Sequence, residues 1–201
     1  MTEQTPDPPQ QGQPEPHPEP SLELPHAGRL FLMILAVILA ADLWTKHAVF
    51  KFLGVTIFFA PDGTPALTAS DLYPVMPGFA LEAALNLGAF NGWFSQVPWL
   101  LIGISALALP ICFYIVLKAK HRPAMMVVAL ALIASGALGN LYDRITYGGV
   151  RDFIRWSVEL GEREWIWPNF NIADSAIVCG VGLILLREWK IARRARATTD
   201  G

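Results

Sequence analysis

The sequence predicts an all-α membrane protein, a bundle of four transmembrane helices with a small extracytoplasmic β-cradle and an interfacial helix. Two observations support this prediction. Hydrophobic residues make up 53% of the 201 residues and charged residues only 16%, whereas soluble domains carry about 25% charged residues. Four apolar segments also follow one another along the chain, and a membrane-spanning segment of this kind must be helical to satisfy its backbone hydrogen bonds.

The first apolar segment begins at Leu30 and is closed by Asp42 and Lys46. The other three are about as long as the roughly 20 residues that cross a hydrocarbon core as a helix. They are Val97–Leu117, Pro123–Tyr142 and Ile166–Leu186. Only the last of these three contains a charged residue, Asp174, which makes that carboxylate the feature to explain.

The ends of the chain differ from its apolar middle. Residues 1–27 contain half of the 16 prolines and several acids, a composition typical of a disordered tail. The loop KAKHR after the second segment is basic, and so is the tail 191–201. Because short Lys/Arg-rich segments stay in the cytoplasm, we expect both termini there, with the membrane domain at 28–190.

The two remaining connections should then lie on the outer side of the membrane. Within 51–96, the stretches GVTIFFA and FALEAALN flank the turn sequence PDGTP, which predicts a small sheet, the cradle. Within 143–165, the stretch VRDFIRWSVELGEREW predicts a short interfacial helix and a strand, with tryptophans suited to the headgroup region.

Several classes of partner are not expected. A net charge of −2 provides no electrostatic attraction for nucleic acid. Cys112 and Cys179 lie in apolar runs, so we expect them to pack as free thiols. No Cys/His spacing is typical of a zinc site, and we predict neither a metal nor a cofactor.

Polar side chains gather at the outer ends of the third and fourth segments. The third closes with Asn140, Asp143 and Arg144, and the fourth carries Asn171 and Asp174 near its start. Asn171 and Asp174 are three residues apart, so on a helix they share one face. An antiparallel pair of helices brings these groups to one membrane depth.

Asp152 lies in the loop between these two segments, where it can converge with Asp174. Two carboxylates in a site of low dielectric constant resist joint ionisation, so such a pair shares one proton. One member can take a proton from water while the protonated member hydrogen-bonds the carbonyl under attack, as in aspartic peptidases. This chemistry requires no metal.

Spacing alone leaves other interpretations open. Asp174 can pair with Arg144, and Asp143 beside Arg144 favours a structural role. Asp42 and Lys46, four residues apart, predict an ion pair on a helix. An intramembrane carboxylate is also typical of ion or proton transport, and a membrane scaffold would use such charges for packing. The inner halves of the last three segments lack ionisable groups, which argues against a transport pathway.

Five short motifs follow one another in the order found in one protein family. They are DLWTK at 42–46, NLGAF at 86–90, GNLYDR at 139–144, VRDF at 150–153 and FNIADS at 170–175. Together they resemble the lipoprotein signal peptidases (signal peptidase II), and the resemblance extends from the first apolar segment to the fourth. Arg151 departs from the family pattern, in which an apolar residue commonly precedes the aspartate.

The resemblance implies a membrane aspartic endopeptidase that removes the signal peptide from diacylglyceryl-modified prolipoproteins, cleaving before the lipidated cysteine. It implies that Asp152 and Asp174 are the catalytic pair. The residues implied to line the substrate site are Asn86, Gly88, Asn140, Arg144 and Asn171, and those implied to support the fold are Asp42, Lys46 and Asp143. It also implies a bacterial inner-membrane enzyme whose partners are the prolipoprotein and membrane lipid, with the active site near the outer face.

Overall fold

The computed structural model describes residues 21–69, 72–89, 94–161 and 163–199, and four long helices dominate this part of the chain. They are α1 (Leu24–Phe52), α2 (Pro98–Lys118), α3 (Ala124–Tyr147) and α4 (Ile172–Thr199). The first three are long and apolar enough to cross a membrane, in agreement with the first three predicted spans.

Helix α3 lies between the other three helices and packs against each of them. Glycines make the approach of α4 possible. A Cβ atom on Gly136 of α3 would overlap the carbonyl oxygen of Ala173 on α4, and one on Gly180 of α4 would lie 2.7 Å from the carbonyl oxygen of Ala129. The backbones of α3 and α4 are therefore in contact, because small residues permit helices to approach closely.

Apolar side chains of α1, α2 and α3 form the main hydrophobic core between the helices. Its buried members include Ala27, Phe31, Cys112, Val116, Val127 and Leu130. The segment before α1 is joined to the loop between α2 and α3, because the backbone N–H of Leu22 donates to the carbonyl oxygen of Arg122 at 2.8 Å. This core therefore holds α1, α2 and α3 together.

Six strands form two antiparallel sheets, which follow α1 and α3 in the chain. They are β1 (Ile57–Phe59), β2 (Pro65–Leu67), β3 (Leu72–Met76), β4 (Phe79–Asn86), β5 (Val150–Leu160) and β6 (Arg163–Ile166). β1 pairs with β2, and the larger sheet has the order β3-β4-β5-β6. The predicted turn PDGTP joins β1 to β2, with Gly63 at φ 82° and the Asp62 carboxylate accepting from the Thr64 N–H at 2.9 Å.

The predicted interfacial helix within 143–165 is wrong, because this stretch forms the β5–β6 hairpin. From Trp156 onward, exposed apolar side chains alternate with polar ones, and Val158 and Leu160 continue the apolar series. Such a period of two residues belongs to a strand. The chain therefore combines helices with small sheets, and the sheets occupy more of it than the all-α prediction allowed.

Two predicted segment boundaries are also wrong. The fourth apolar segment was expected to start at Ile166, but Ile166 pairs with Ser157 at the end of β6. Helix α4 starts only at Ile172, six residues later in the chain, and continues to Thr199. Helix α1 starts at Leu24 instead of Leu30, so the end of the predicted tail 1–27 is helical. Residues 1–20 of that tail lie outside the described residues.

The two cysteines are both free, as predicted. Cys112 is buried in the helix core, whereas Cys179 is exposed on α4. The thiol of Cys112 therefore has the packing role that its apolar surroundings indicate.

Candidate active site

Asp152 is buried, at 2% exposure, near the start of β5. Strand β4 lies beside it in antiparallel register, with Ala84 opposite Asp152 and Asn86 opposite Val150. The side-chain amide of Asn171 donates to Asp152 Oδ1 at 2.7 Å, and Asn86 makes a further side-chain hydrogen bond to the same carboxyl group. Sheet pairing and two asparagines thus determine the position of Asp152.

Asp174 lies in the first turn of α4, where it forms a reciprocal cap with Asn171. The backbone N–H of Asp174 donates to Asn171 Oδ1 at 2.9 Å, and the N–H of Asn171 donates to Asp174 Oδ2 at 3.3 Å. This is the arrangement of a capping box, in which two residues three apart satisfy each other's free donors. Asn171 therefore precedes the helix as its cap. The prediction that Asn171 and Asp174 share one helical face is wrong for this reason.

Two asparagines connect the two aspartates. The amide of Asn140 donates to Asp174 Oδ1 at 2.8 Å. The amide of Asn171 donates to Asn140 Oδ1 at 3.3 Å as well as to Asp152 Oδ1. The structure therefore brings together four of the predicted site residues in one chain of hydrogen bonds that runs from Asp152 to Asp174.

The surroundings of Asp152 favour its protonated form. Burial in the protein raises the pKa of Asp152 to about 8, and the neighbouring charge of Asp174 acts in the same direction. The hydrogen bonds from Asn171 and Asn86 oppose this rise without cancelling it. At neutral pH the Asp152 carboxyl group therefore keeps its proton and can donate a hydrogen bond.

A buried ion network lies beside the aspartates. Lys46 Nζ lies 2.8 Å from Asp42 Oδ2 and 3.2 Å from Asp143 Oδ2, which confirms the predicted pair of Asp42 and Lys46. Lys46 also donates to Asn140 Oδ1 at 3.1 Å. The other oxygen of Asp42 accepts from the backbone N–H of Ala173 at 2.9 Å, so α1 caps the first turn of α4.

Arg151 completes this network and explains the departure from the family motif. Its guanidinium group donates to Asp143 Oδ1 at 2.7 Å and lies 4.3 Å from the centre of the Tyr147 ring. Its backbone N–H donates to Asp143 as well. Two cations, Arg151 and Lys46, thus balance two carboxylates, Asp143 and Asp42, which is the condition under which buried charges are tolerated.

Arg144 extends from α3 toward the loop that follows β4. Its guanidinium donates to the carbonyl oxygen of Gly88 at 3.0 Å, and the N–H of Gly88 donates to Asn86 Oδ1 at 3.0 Å. The buried Nε of Arg144 has no hydrogen-bond partner among the described residues. In the described part of the chain no ion pair within 4.0 Å joins Asp174 to Arg144, although the two charges attract each other at longer range.

An open cavity of about 690 Å³ adjoins Asp174. Apolar side chains of α2, α3 and α4 line one half of it, among them Ile104, Ala108, Ile133, Ala137, Ile177 and Val178. Polar and aromatic groups line its other half, among them Asn86, Asn140, Arg144, Trp156, Trp167 and Asn169. A cavity that is apolar on one side and polar on the other suits a ligand that crosses the membrane surface.

Some residues around the site were not anticipated from the sequence. From the sequence, Arg151 was identified only as a departure from the family motif. The structure shows that it is buried and paired with Asp143. The aromatic side of the cavity, Trp156 and Trp167, was expected merely to anchor the protein at the interface. Glu82 and Asn169, which contact each other across the sheet, had no local sequence signal.

No group of three or more His, Cys, Asp or Glu side chains within the described ranges is arranged to hold a metal ion. The buried carboxylates contact asparagine amides, lysine and arginine instead. Polar side chains thus orient the carboxyl groups of Asp152 and Asp174.

The sequence of this chain is similar to those of known proteins. The family model for signal peptidase (SPase) II matches residues 34–190. A lipoprotein signal peptidase of Rhodopirellula baltica is 33% identical over 176 residues, covering 81% of this chain and 72% of that protein. One of Paraburkholderia phymatum is 33% identical over 178 residues, covering 88% and 98% of the two chains.

A solved structure described as a bacterial membrane enzyme has the same fold. It superposes with a TM-score of 0.64 at 26% sequence identity, and the match covers 87% of this chain and 93% of that one. A second solved structure with the same description gives a TM-score of 0.61. The chain belongs to the signal peptidase II family.

Proposed function

We propose that the protein is a membrane aspartic endopeptidase that removes signal peptides from diacylglyceryl-modified prolipoproteins, cleaving before the lipidated cysteine. The observation that carries this proposal is the chain of hydrogen bonds from Asp152 through Asn171 and Asn140 to Asp174, next to an open cavity. Family membership and the names of the relatives support the substrate class.

In the proposed reaction, Asp174 acts first as a base and Asp152 as an acid. Asp174 accepts hydrogen bonds from the Asn140 side chain and the Asn171 backbone N–H. In the first step the Asp174 carboxylate takes a proton from water. The water oxygen attacks the scissile carbonyl carbon while protonated Asp152 donates to the carbonyl oxygen. Two carboxyl groups in opposite protonation states are the requirement for this division of labour.

The second half of the reaction restores the starting protonation state of both carboxyl groups. Asp174 gives its proton to the departing amide nitrogen, and Asp152 recovers a proton from a hydroxyl group of the tetrahedral intermediate. The C–N bond then breaks to release a carboxylic acid and an amine. Within one turnover Asp152 regains the proton that it lost and Asp174 gives away the proton that it took from water, so the cycle needs no reactant besides the substrate and water.

The two halves of the cavity support the proposed substrate position. The apolar half between α2, α3 and α4 would hold the membrane-embedded signal sequence. On the polar half, Asn86 and Arg144 line the cavity and would contact peptide carbonyl groups, and the carbonyl oxygen of Gly88 would hold the Arg144 guanidinium in place. We further propose that α4 is the fourth span, that both termini are cytoplasmic and that the site lies near the outer face.

The proposal is tested by cleavage of a diacylglyceryl prolipoprotein with purified protein. Asp152→Asn and Asp174→Asn should each lower kcat by about a thousandfold or more, because both general acid–base partners are required. Asp62→Asn is the matched control, since Asp62 lies exposed in the β1–β2 turn. Full activity of either dyad variant would refute the assignment and favour a transport or packing role for these carboxylates.

A further inference from the structure

Glu82 lies at an irregularity in β4 that redirects its side chain. On one side Leu81 is opposite Ile154, and on the other Ala84 is opposite Asp152, so β4 has one more residue than β5 between these two pairs. Such a bulge disrupts the ladder locally and re-aims a side chain. The irregularity lies directly beside Asp152, and it is a feature of the same strand that ends at Asn86.

The redirected carboxylate reaches two residues of neighbouring segments. Glu82 Oε2 accepts from Arg155 Nη1 on β5 at 2.8 Å and from Asn169 Nδ2 at 3.0 Å. Arg155 and Glu82 are each about four-fifths buried. Partial burial acts to raise the pKa of Glu82, but the hydrogen bonds from Arg155 and Asn169 hold it below its ordinary value. The carboxylate is therefore ionised when it makes these charge-assisted contacts, which are stronger than neutral ones.

Asn169 belongs to a short segment, Trp167–Phe170, that continues beside β5 after the β6 strand. The N–H of Trp167 donates to the carbonyl oxygen of Trp156, and the N–H of Phe170 donates to that of Ile154. Pro168 and Asn169 lie between these two pairings, and Pro168 has no N–H to donate. The side-chain hydrogen bond from Asn169 to Glu82 therefore supports the middle of this segment.

This segment, called here the aromatic wall, forms one side of the cavity beside Asp174. Trp167, Pro168, Asn169 and Phe170 all line the cavity. The Phe170 ring packs edge-to-face against Trp156, with ring centres 5.4 Å apart. The wall lies in the same half of the cavity as Asn86 and Trp156.

We propose that Glu82 is a positioning residue that, with Arg155, holds Asn169 and thereby shapes the aromatic wall against the outer part of the substrate. The substrate part of this inference rests on the proposed function. The partner chemistry is that of an extended polypeptide next to its lipid-bearing residue, which an aromatic wall contacts through apolar surface. Glu82 itself touches no reacting group.

The structure also separates this effect from the catalytic geometry. The carbonyl oxygen of Phe170 accepts from the N–H groups of Phe153 and Ile154 at 3.1 and 2.9 Å. These backbone bonds hold the start of α4, including Asn171, independently of Glu82. Loss of the Glu82 contact therefore loosens Trp167–Asn169 while Asn171 stays in contact with Asp152. Substrate binding should weaken while the chemical step is little changed.

The experiment compares Glu82→Ala, Asn169→Ala and the double variant in the full-length purified protein. Hydrogen exchange of the backbone N–H groups of Trp167 and Asn169, followed by mass spectrometry, should accelerate about tenfold or more in each variant, because local opening is no longer resisted. KM for the prolipoprotein should rise about tenfold with kcat within about twofold, since a hydrogen bond to a charged group is lost. The double variant should equal the single ones.

Glu159→Ala is the matched control, because Glu159 is an exposed glutamate on β5 of the same sheet, and it should alter neither quantity. Glu82→Gln, which keeps an acceptor for Asn169, should recover part of the wild-type KM. Unchanged exchange at Trp167 and Asn169 would overturn the positioning role. Faster exchange with unchanged KM, or a loss confined to kcat, would overturn the contact with substrate. If the wild-type protein cleaves no prolipoprotein, the proposed function fails, while the exchange result still decides whether Glu82 holds the wall.

Discussion

Lys46 donates a hydrogen bond from Nζ to Oδ1 of Asn140 at 3.1 Å between the buried faces of α1 and α3. Because a lysine ammonium group can only donate, the carbonyl end of the Asn140 amide must face Lys46. Its nitrogen then points the other way and donates to Asp174 at 2.8 Å. A residue of α1 thereby orients a hydrogen-bond donor on one of the two aspartates that we propose for catalysis.

Replacing Lys46 should damage both stability and activity. Lys46→Met leaves Asp42 and Asp143 buried without their shared cation, which should lower the free energy of unfolding by about 3–5 kcal/mol. Thermal unfolding in detergent measures this change. Lys51→Met is the matched control on the same helix, because Lys51 is exposed near the end of α1. An equal effect of the two substitutions would contradict the role assigned to the network.

Asp152→Asn should stabilise the protein, although we expect it to be inactive. Burial raises the pKa of Asp152 to about 8, so between about pH 4 and 8 the folded protein keeps a proton that the unfolded chain releases. The wild type therefore loses stability as the pH rises through this range, whereas an asparagine does not titrate. The melting temperature of the variant should exceed that of the wild type, by a margin that grows from pH 5 to pH 8.

The control for that measurement is Asp62→Asn, in the exposed β1–β2 turn. Hydrogen bonds from Thr64 lower the pKa of Asp62, so it is ionised in both folded and unfolded protein over the same range. Its melting temperature relative to wild type should stay constant between pH 5 and pH 8. A margin for Asp152→Asn that stays constant between pH 5 and pH 8 would show that the carboxyl group is already ionised in the folded protein at pH 5.

Close packing of α3 on α4 should be sensitive to a single methyl group. In Gly136→Ala the new Cβ would overlap the carbonyl oxygen of Ala173, and relieving such a clash typically costs about 1–3 kcal/mol. Because Ala173 precedes Asp174, activity should fall with stability. Gly182→Ala is the control, since a Cβ there meets no atom within 4 Å. Similar melting temperatures and rates for the two variants would contradict the described contact.

Removal of metal ions should leave activity unchanged. The proposed reaction moves two protons between Asp152, Asp174 and water, and none of its steps uses a Lewis acid. Cleavage of prolipoprotein should therefore proceed at the same rate after dialysis against EDTA as before it. Recovery of a lost rate by adding back a divalent cation would require a different mechanism.

Local spacing predicted those contacts whose partners are close in the chain. Asp42 and Lys46 are one helical turn apart, and the helix alone brings their side chains together. Asn171 and Asp174 also interact, although as a cap at the start of α4. Apolar length identified α1, α2 and α3, because the width of a bilayer sets that length.

Sheet register decided what spacing left undetermined. The sequence predicted that the stretch after Val150 is partly helical. Its pairing with β4 and β6 shows that it is a strand. The contact of Glu82 with Asn169 joins residues 87 positions apart. Whether two such residues meet depends on a bulge and on strand order, neither of which has a periodic signal in the sequence.

The sequence by itself determined that this is a membrane protein with polar groups at the end of its third apolar segment and the start of its fourth, and its ordered motifs indicated the family. Composition and segment length suffice for this, because the bilayer imposes them on any chain that crosses it. The tertiary structure decided that Asn140 and Asn171 connect Asp152 to Asp174, and that Arg151 balances Asp143. These contacts depend on how close two helices and a strand approach, which the α3–α4 glycines and the antiparallel pairing of β4 with β5 establish together.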